Sequence, residues 1–186
     1  MKRCIVLLAA VMATALGCSP KPQEGKTNSN SAPVNINIYN NGFENGGVGE
    51  WKPRGGAKIE ASADVAHSGK YSLKISNRTV IFSAPEMDVT DLTASFGTYK
   101  IDCWVYVPKG SAVSSLQLTT EVAASGSKYW IQLNKPPLPV DQGSWVKMSG
   151  ALTRKPGMDK TVIYVEPLDK TGDFYLDDVE ITKIAL

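Results

Sequence analysis

Residues 162–166 have the sequence Val162-Ile163-Tyr164-Val165-Glu166, in which the apolar Ile163 and Val165 alternate with the other three side chains. Successive side chains of a β-strand point to opposite faces of the sheet, so this pattern predicts a strand whose Ile163 and Val165 face a core. The same period of two recurs in residues 71–76 and 116–121. The rest of the chain after its N-terminal segment shows no convincing helical period, and we therefore predict an all-β domain.

Short groups of turn-forming residues separate the alternating stretches, because Gly, Pro, Asn and Asp favour the backbone conformations of tight turns. These groups are Asn45-Gly46-Gly47, His67-Ser68-Gly69, Pro108-Lys109-Gly110, Ser125-Gly126, Asp141-Gln142-Gly143 and Pro156-Gly157. Many short strands with regular turns are typical of two packed antiparallel sheets. The predicted fold is an antiparallel β-sandwich of the jelly-roll type.

The N-terminal segment has the layout of a secretory signal. Lys2 and Arg3 precede a mostly apolar stretch that ends near Leu16, which is shorter than the ~20 residues that span a bilayer. Ala15-Leu16-Gly17-Cys18 resembles the bacterial lipobox, which predicts removal of the signal peptide 1–17 and acylation of Cys18. The alternative is ordinary cleavage after Ala13-Thr14-Ala15.

Residues 18–34 combine prolines with Ser, Asn, Gln, Lys and Gly, a composition that predicts a disordered tether. Residues 35–186 would then form the folded domain. We expect the protein at the bacterial cell envelope, periplasmic or surface-exposed, with the lipid anchor as its only membrane contact. Without acylation it would be secreted.

Charge, length and cysteine content exclude several classes of protein. Without Lys2 and Arg3 the chain keeps 18 of its 20 basic side chains, which equals its 18 acidic ones. A neutral chain without a basic cluster lacks the electrostatic footprint of a nucleic-acid-binding protein. A chain of 186 residues is also too short for a (β/α)₈ barrel, which typically needs about 250.

Once Cys4 is removed and Cys18 acylated, Cys103 has no disulfide partner, and we expect it to be buried in the core.

A series of short motifs occurs in order between residues 35 and 186. They are Asn41-Gly42-Phe43-Glu44, Trp51-Lys52-Pro53-Arg54-Gly55, Ala66-His67-Ser68-Gly69-Lys70-Tyr71-Ser72-Leu73, Asn77-Arg78-Thr79, Asp88-Val89-Thr90, Thr98-Tyr99-Lys100, Trp104-Val105-Tyr106, Ser144-Trp145-Val146, Tyr164-Val165-Glu166 and Phe174-Tyr175-Leu176-Asp177-Asp178-Val179. Together they resemble family twenty-two carbohydrate-binding modules, the xylan-binding relatives of the family-four binders. The resemblance implies a β-jelly roll whose concave face binds β-linked polysaccharide, usually as an accessory domain of xylanases.

The resemblance also implies ligand-contacting residues. Tyr164 and Glu166 share one face of their strand, and they match a Tyr and a Glu that contact the ligand in the family. Arg54 matches a ligand-contacting Arg. The alternatives are a solvated surface acid for Glu166 and a loop-anchoring ion pair for Arg54. A pyranose needs aromatic platforms for its C–H faces and fixed polar groups for its hydroxyls, and these residue types supply both.

Two aromatic residues complete the predicted carbohydrate site. Ile131 and Leu133 have the spacing of core residues, which would place Trp130 and Gln132 in the cleft, and Trp130 matches the position of a stacking Tyr in the family. The alternative is that Trp130 closes a sheet edge. Phe82 stands where the family characteristically has Trp, a departure that would weaken affinity for xylan or change the ligand.

Related modules bind a structural calcium ion, and the resemblance assigns its ligands here to the side chains of Glu44 and Asp178, with the carbonyl groups of Gly42 and Lys70. An oxygen-only ligand set suits Ca²⁺. The alternative is that Asp178 caps a turn. Asp177 and Asp178 would point to opposite faces of a regular strand, whereas a glycosidase needs two carboxyl groups that flank one bond. We therefore predict no catalytic residues.

The sequence predicts a non-catalytic, membrane-tethered module that binds xylan or mixed-linkage β-glucan, and we expect a monomer that does not bind nucleic acid. Two alternatives remain open at this point. One is an accessory module or a fragment of a glycoside hydrolase. The other is a structural or protein-binding sandwich that has lost glycan binding.

Overall fold

The computed structural model describes residues 34–168 and 171–185. The predicted signal peptide, Cys18 and nearly all of the predicted tether lie outside the described residues. Within them, no helix is long and apolar enough to cross a bilayer.

Twelve strands in the described residues form two antiparallel sheets. The first sheet contains, in spatial order, β10 (Trp145–Arg154), β6 (Gly97–Tyr106), β12 (Phe174–Ile184), β4 (Ser72–Ser76) and β3 (Lys58–Ser62), with β1 (Ile36–Asn41) paired to β12. The second sheet contains β2 (Lys52–Arg54), β5 (Ala84–Asp88), β11 (Met158–Glu166), β7 (Ser115–Ala124) and β8 (Ser127–Gln132), with β9 (Leu138–Pro139) paired to β7. The prediction of an all-β sandwich of the jelly-roll type is confirmed.

The core lies between the sheets and contains one alternate set of side chains from each long strand. In β11, Ile163 and Val165 are at most 1% exposed, as the alternation predicts. Leu116 and Leu118 of β7 are fully buried on the same side, and Cys103 is buried among the core residues of β6. Because these side chains face inward, their neighbours in sequence must form the outer faces of the sandwich.

The predicted turns are confirmed, since all six fall between strands and contain a glycine with a positive φ. The connection between β7 and β8 is the tightest. Ser125 and Gly126 have φ values of 49° and 78°, and two successive positive φ values are the signature of a type I′ hairpin turn. This turn fixes the register that pairs Glu121 with Trp130.

Candidate functional site

The outer face of the second sheet carries the residues that the sequence predicts for carbohydrate binding. Residues directly opposite each other on neighbouring strands share a face. Glu166 of β11 lies opposite Gln117, and Tyr164 lies opposite Thr119. On β8, Trp130 lies opposite Glu121. The register therefore places Tyr164, Glu166 and Trp130 on one surface, which we call the cleft face.

Arg54 brings four of the five predicted residues into contact. Its Nη1 donates hydrogen bonds to Oε2 of Glu166 and to the carbonyl oxygen of Phe82, each at 3.1 Å. The centre of its guanidinium group lies 4.2 Å from the ring centroid of Tyr164 and 5.6 Å from that of Phe82. Arg54, Phe82, Tyr164 and Glu166 therefore form one cluster at the β2 side of the cleft face.

The ion pair between Arg54 and Glu166 is largely shielded from water. The side chain of Glu166 is 8% exposed and that of Arg54 is 25% exposed. Burial raises the pKa of Glu166, and the neighbouring Arg54 counteracts only part of this effect. A buried carboxylate of this kind depends on its cation, because removing one partner leaves an uncompensated charge.

Tyr164 lies beneath Arg54 and does not offer a free ring face. It is 2% exposed, and its hydroxyl donates a hydrogen bond of 2.8 Å to Oε2 of Glu121. Burial and this hydrogen bond raise the pKa of Tyr164. In the structure Tyr164 supports the guanidinium group from below, so the upper surface of the cluster is formed by Arg54 and Phe82.

Glu121 also belongs to this cluster, although none of the sequence motifs marks it. This carboxylate accepts the hydroxyl of Tyr164 and forms an ion pair of 2.8 Å with Nζ of Lys128. Those contacts lower the pKa of Glu121, with the hydrogen bond from Lys128 as the largest cause. In β7, Glu121 alternates with the core-facing Leu118 and Thr120, and this alternation predicts that Glu121 lies on the cleft face.

Trp130 forms a wall of a separate cavity at the other end of the cleft face. The side chain is 57% exposed, and the cavity has a volume of about 350 Å³. The cavity is lined by Thr119, Trp130, Ile131, Gln132, Lys135, Glu166 and Leu168. Glu166 therefore belongs both to the Arg54 cluster and to the Trp130 cavity. The two ends of the face, at β2 and β8, are four strand spacings or about 19 Å apart.

The loop before β5 holds Phe82 at the rim of the cleft face. Arg78, which is 7% exposed, donates hydrogen bonds to the carbonyl groups of Ile81 and Ser83 on either side of Phe82, at 2.9 and 2.6 Å. A Cβ atom on Gly55 would lie 3.2 Å from the ring of Phe82, so glycine permits the close approach of this loop. Phe82 itself is 50% exposed and forms an accessible aromatic surface.

The residues predicted to bind calcium also lie close together, on the first sheet and its adjoining loops. Glu44 accepts backbone hydrogen bonds from Lys70 at 2.8 Å and from Tyr71 at 2.9 Å. A Cβ atom on Gly42 would lie 3.0 Å from Oδ1 of Asp178 and 3.9 Å from Cγ of Glu44. The structure therefore brings Gly42, Glu44 and Asp178 into one neighbourhood with the backbone of Lys70.

The expectation that Asp177 and Asp178 point to opposite faces is wrong. The register of β12 is irregular between Asp177 and Glu180, and Asp178 has a φ of 44°, so the simple alternation of a strand does not hold there. Asp177 accepts the backbone N–H of His67 at 2.8 Å, and Asp178 accepts the hydroxyl of Ser68 at 2.7 Å. Both carboxylates face the same turn, on the sheet opposite the cleft face.

His67 lies in this turn. Its Nδ1 is 2.6 Å from Oδ2 of Asp178, and its ring stacks on Trp104 with centroids 3.8 Å apart. Within the described residues, no group of three or more His, Cys, Asp and Glu side chains has an arrangement that could hold a metal ion. Two carboxylates at this place would need backbone carbonyl groups and water to complete a coordination shell.

A jelly-roll sandwich with exposed aromatic and polar side chains on one sheet is typical of carbohydrate-binding modules. The chain belongs to the carbohydrate binding domain family, whose model matches residues 35–171. The resemblance to family twenty-two modules is thereby confirmed, and so is the interpretation of the chain as a binding module.

The chain is similar to a part of several xylanases. The chain is 38% identical over 149 residues to endo-1,4-beta-xylanase A of Thermotoga maritima, covering 77% of this chain and 14% of the relative. It is 32% identical over 157 residues to endo-1,4-beta-xylanase A of Thermoanaerobacterium saccharolyticum, covering 83% of this chain and 13% of the relative. The chain thus spans a small part of the length of these enzymes.

A solved structure supports the same classification. The CBM22-1 xylan-binding domain from Paenibacillus barcinonensis Xyn10C superposes with a TM-score of 0.77 at 27% identity. The match covers 84% of this chain and 99% of that domain. The described residues therefore share the fold of that domain over nearly its whole length.

Proposed function

We propose that the cleft face binds a chain of β-1,4-xylan without cleaving it. The observation that carries the proposal is the arrangement of two accessible aromatic side chains, Phe82 and Trp130, on either side of the Arg54–Glu166 ion pair. The named relatives support the choice of ligand, because they are xylanases and a domain described as xylan-binding shares the fold.

The chemistry of the cleft face suits an uncharged sugar chain. Aromatic rings bind the apolar C–H faces of pyranoses, and fixed polar groups bind their hydroxyl groups. The hydrogen bonds of Arg54 within the described residues use Nη1, so Nε and Nη2 can donate to ligand hydroxyl groups. The ion pair with Glu166 and the ring of Tyr164 hold the guanidinium group in place before the ligand arrives, which lowers the entropic cost of binding.

Two carboxylates of the cleft face are engaged in structural contacts, and a third, Glu86, lies opposite Lys52 in the register of β2 and β5. Glu166 is bonded to Arg54, and Glu121 is bonded to Tyr164 and Lys128. A glycoside hydrolase needs one carboxyl group that gives up a proton to the leaving group and a second that acts on the other side of the bond. Because these partners hold the carboxylates of Glu166 and Glu121, the cleft face is better suited to binding a polysaccharide than to hydrolysing it.

Affinity electrophoresis of residues 34–186 against xylan, mixed-linkage β-glucan and cellulose tests the proposal. We expect the strongest retardation in xylan. Mixed-linkage β-glucan is the second candidate ligand, because Phe82 offers a smaller ring than the Trp of related modules. Equal mobility in all gels, with and without polysaccharide, would contradict a carbohydrate-binding function.

We propose further that Glu44 and Asp178, with the carbonyl groups of Gly42 and Lys70, hold a structural calcium ion. The residues present fit this cation, since the two carboxylates lie near Gly42 and oxygen ligands suit hard Ca²⁺. The oxygens of both carboxylates already accept hydrogen bonds, and a carboxylate oxygen has a second lone pair for a metal. The ion would stabilise the fold on the sheet opposite the cleft face.

For the cellular setting we propose an acylated Cys18 at the bacterial cell envelope, with a monomeric binding domain reaching outward on the tether 18–34. Cys18→Ala in the full chain should abolish partitioning into membranes and leave xylan binding intact. A variant that still partitions with membranes would exclude the lipid anchor.

A further inference from the structure

The cavity at the Trp130 end of the cleft face contains a cation whose role is not explained by binding of an uncharged chain. Lys135 follows β8 and lines this cavity together with Trp130, Gln132 and Thr119. Its side chain is exposed, and it forms no ion pair with any residue in 34–168 or 171–185. A volume of about 350 Å³ is at the lower end of the range for small-ligand sites.

The backbone around Lys135 is fixed to strand β7 of the second sheet by hydrogen bonds of its neighbour Asn134. Oδ1 of Asn134 accepts hydrogen bonds from the backbone N–H of Leu118 at 2.6 Å and from Nε2 of Gln117 at 2.5 Å. Nδ2 of Asn134 donates to the carbonyl group of Leu116 at 3.4 Å. These contacts tie the loop to β7, so Lys135 extends from an anchored position beside the cavity.

Three carboxylates of the cleft face are paired with cations, and a fourth, Glu86, lies opposite Lys52 at the β2 end of the face. Lys128 pairs with Glu121 at 2.8 Å, and Lys160 pairs with Asp88 at 3.6 Å. The carboxylate that shares the cavity, Glu166, is held by Arg54 at 3.1 Å. Lys135 therefore adds a positive charge to a cavity whose own carboxylate is already balanced. Such a cavity favours a ligand group with a negative charge.

We propose that this cavity binds a sugar branch bearing a carboxylate, a uronic acid attached to the main chain of the polysaccharide, with Lys135 as the partner of the carboxylate. The inference rests on the proposed function, since the main chain must lie along the cleft face for a branch to reach the cavity. Thr119 and Gln132 supply hydrogen-bonding groups for the hydroxyls of the branch, next to the indole of Trp130 on which the main chain stacks. The preferred ligand is thus an acidic, branched β-1,4-xylan.

Isothermal titration calorimetry with three matched ligands tests this inference. The first is a linear xylo-oligosaccharide, the second is the same oligosaccharide with one uronic acid branch, and the third carries that branch with its carboxyl group reduced to a hydroxymethyl group. We expect the wild type to prefer the acidic ligand over the reduced one by about fivefold at low salt, as for one partly exposed ion pair. The preference should shrink at high salt because the pair is screened.

Two variants separate Lys135 from other cations of the cleft face. Lys135→Met should abolish the preference for the acidic branch and leave the affinity for the linear ligand unchanged. Lys52→Met, at the opposite end of the face, is the matched control and should keep the preference.

Equal affinity of the wild type for the acidic and reduced ligands, with normal binding of the linear one, would overturn the inference and leave the proposed function standing. A preference that persists in Lys135→Met would overturn the assignment to this cavity. Failure of all three ligands to bind would overturn the proposed function, and the inference with it.

Discussion

Arg54 and Glu166 form a hydrogen-bonded ion pair of 3.1 Å although they are 112 positions apart in the sequence and their strands are not neighbours. β5 lies between β2 and β11, and the residue of β5 that faces Arg54 in the register is Ala84. A methyl side chain at this place lets the long side chain of Arg54 cross β5. The pair therefore links β2 to β11 across β5, on the β2 side of the proposed binding surface.

We expect Arg54→Met to lower the free energy of unfolding by about 2 kcal/mol, because it leaves the buried Glu166 carboxylate without its cation. Urea denaturation followed by Trp fluorescence measures the change. Adding Glu166→Gln to Arg54→Met should restore most of the loss, since the double variant has no buried charge at this place. A double variant that is less stable than Arg54→Met alone would contradict the structural role of the pair.

The raised pKa of Glu166 predicts a particular pH dependence. Its carboxyl group binds a proton more tightly in the folded state than in the unfolded state, so this group destabilises the fold most at pH values above its folded pKa. The destabilisation should fade as the pH falls towards the unfolded value of about 4.3. The free energy of unfolding of the wild type, compared with that of Glu166→Gln, should therefore rise as the pH falls from 7 towards the unfolded pKa of Glu166, about 4.3. If this difference in the free energy of unfolding stays constant or falls as the pH falls, burial is not the largest influence on the pKa of Glu166.

The variant Tyr164→Phe distinguishes two possible roles of Tyr164, namely support of the Arg54 side chain and direct contact with the ligand. The variant loses the hydrogen bond to Glu121 and should lower the free energy of unfolding by about 1 kcal/mol. Its ring remains beneath Arg54, so calorimetry should find xylan affinity within about twofold of the wild type, a difference below 1 kcal/mol. A much larger loss of affinity at unchanged stability would mean that the hydroxyl contacts the ligand.

Removal of calcium should destabilise the fold without affecting recognition. Glu44 and Asp178 come from distant parts of the chain, so a metal bound between them stabilises the folded state by mass action. A chelator should lower the Tm of the wild type, and xylan affinity at low temperature should stay nearly the same. Asp178→Asn should remove the effect of the chelator on the Tm, whereas Asp102→Asn on the same sheet should keep it. Identical melting curves of the wild type with and without chelator would exclude the metal site.

The sequence was sufficient to predict an all-β sandwich, its turns and the shared face of Tyr164 and Glu166. Alternation in β11 and β7 separates core from surface, whereas Ile131, expected in the core from its spacing, lines the cavity beside Trp130. Such patterns are local, and they depend on the geometry of a regular strand.

Contacts between distant residues could not be predicted in this way. The burial of Tyr164 under Arg54 depends on side chains 110 positions apart, and the clamp of Arg78 around Phe82 depends on a loop conformation. The convergence of Asp177 and Asp178 arises from a left-handed residue within β12, where the alternation rule does not apply. These features follow from tertiary packing, which a period of two does not encode.

The central claim is that Trp130 and Phe82 are the platforms of a xylan-binding surface, and calorimetric titration of Trp130→Ala with xylohexaose tests it most directly. Trp130 is 57% exposed, so the variant should keep the Tm of the wild type. Truncating a central aromatic residue costs about 2 kcal/mol, so the affinity should fall about thirtyfold. Phe82→Trp should raise the affinity, because it enlarges the second platform. Wild-type affinity in Trp130→Ala, with the fold intact, would contradict the account.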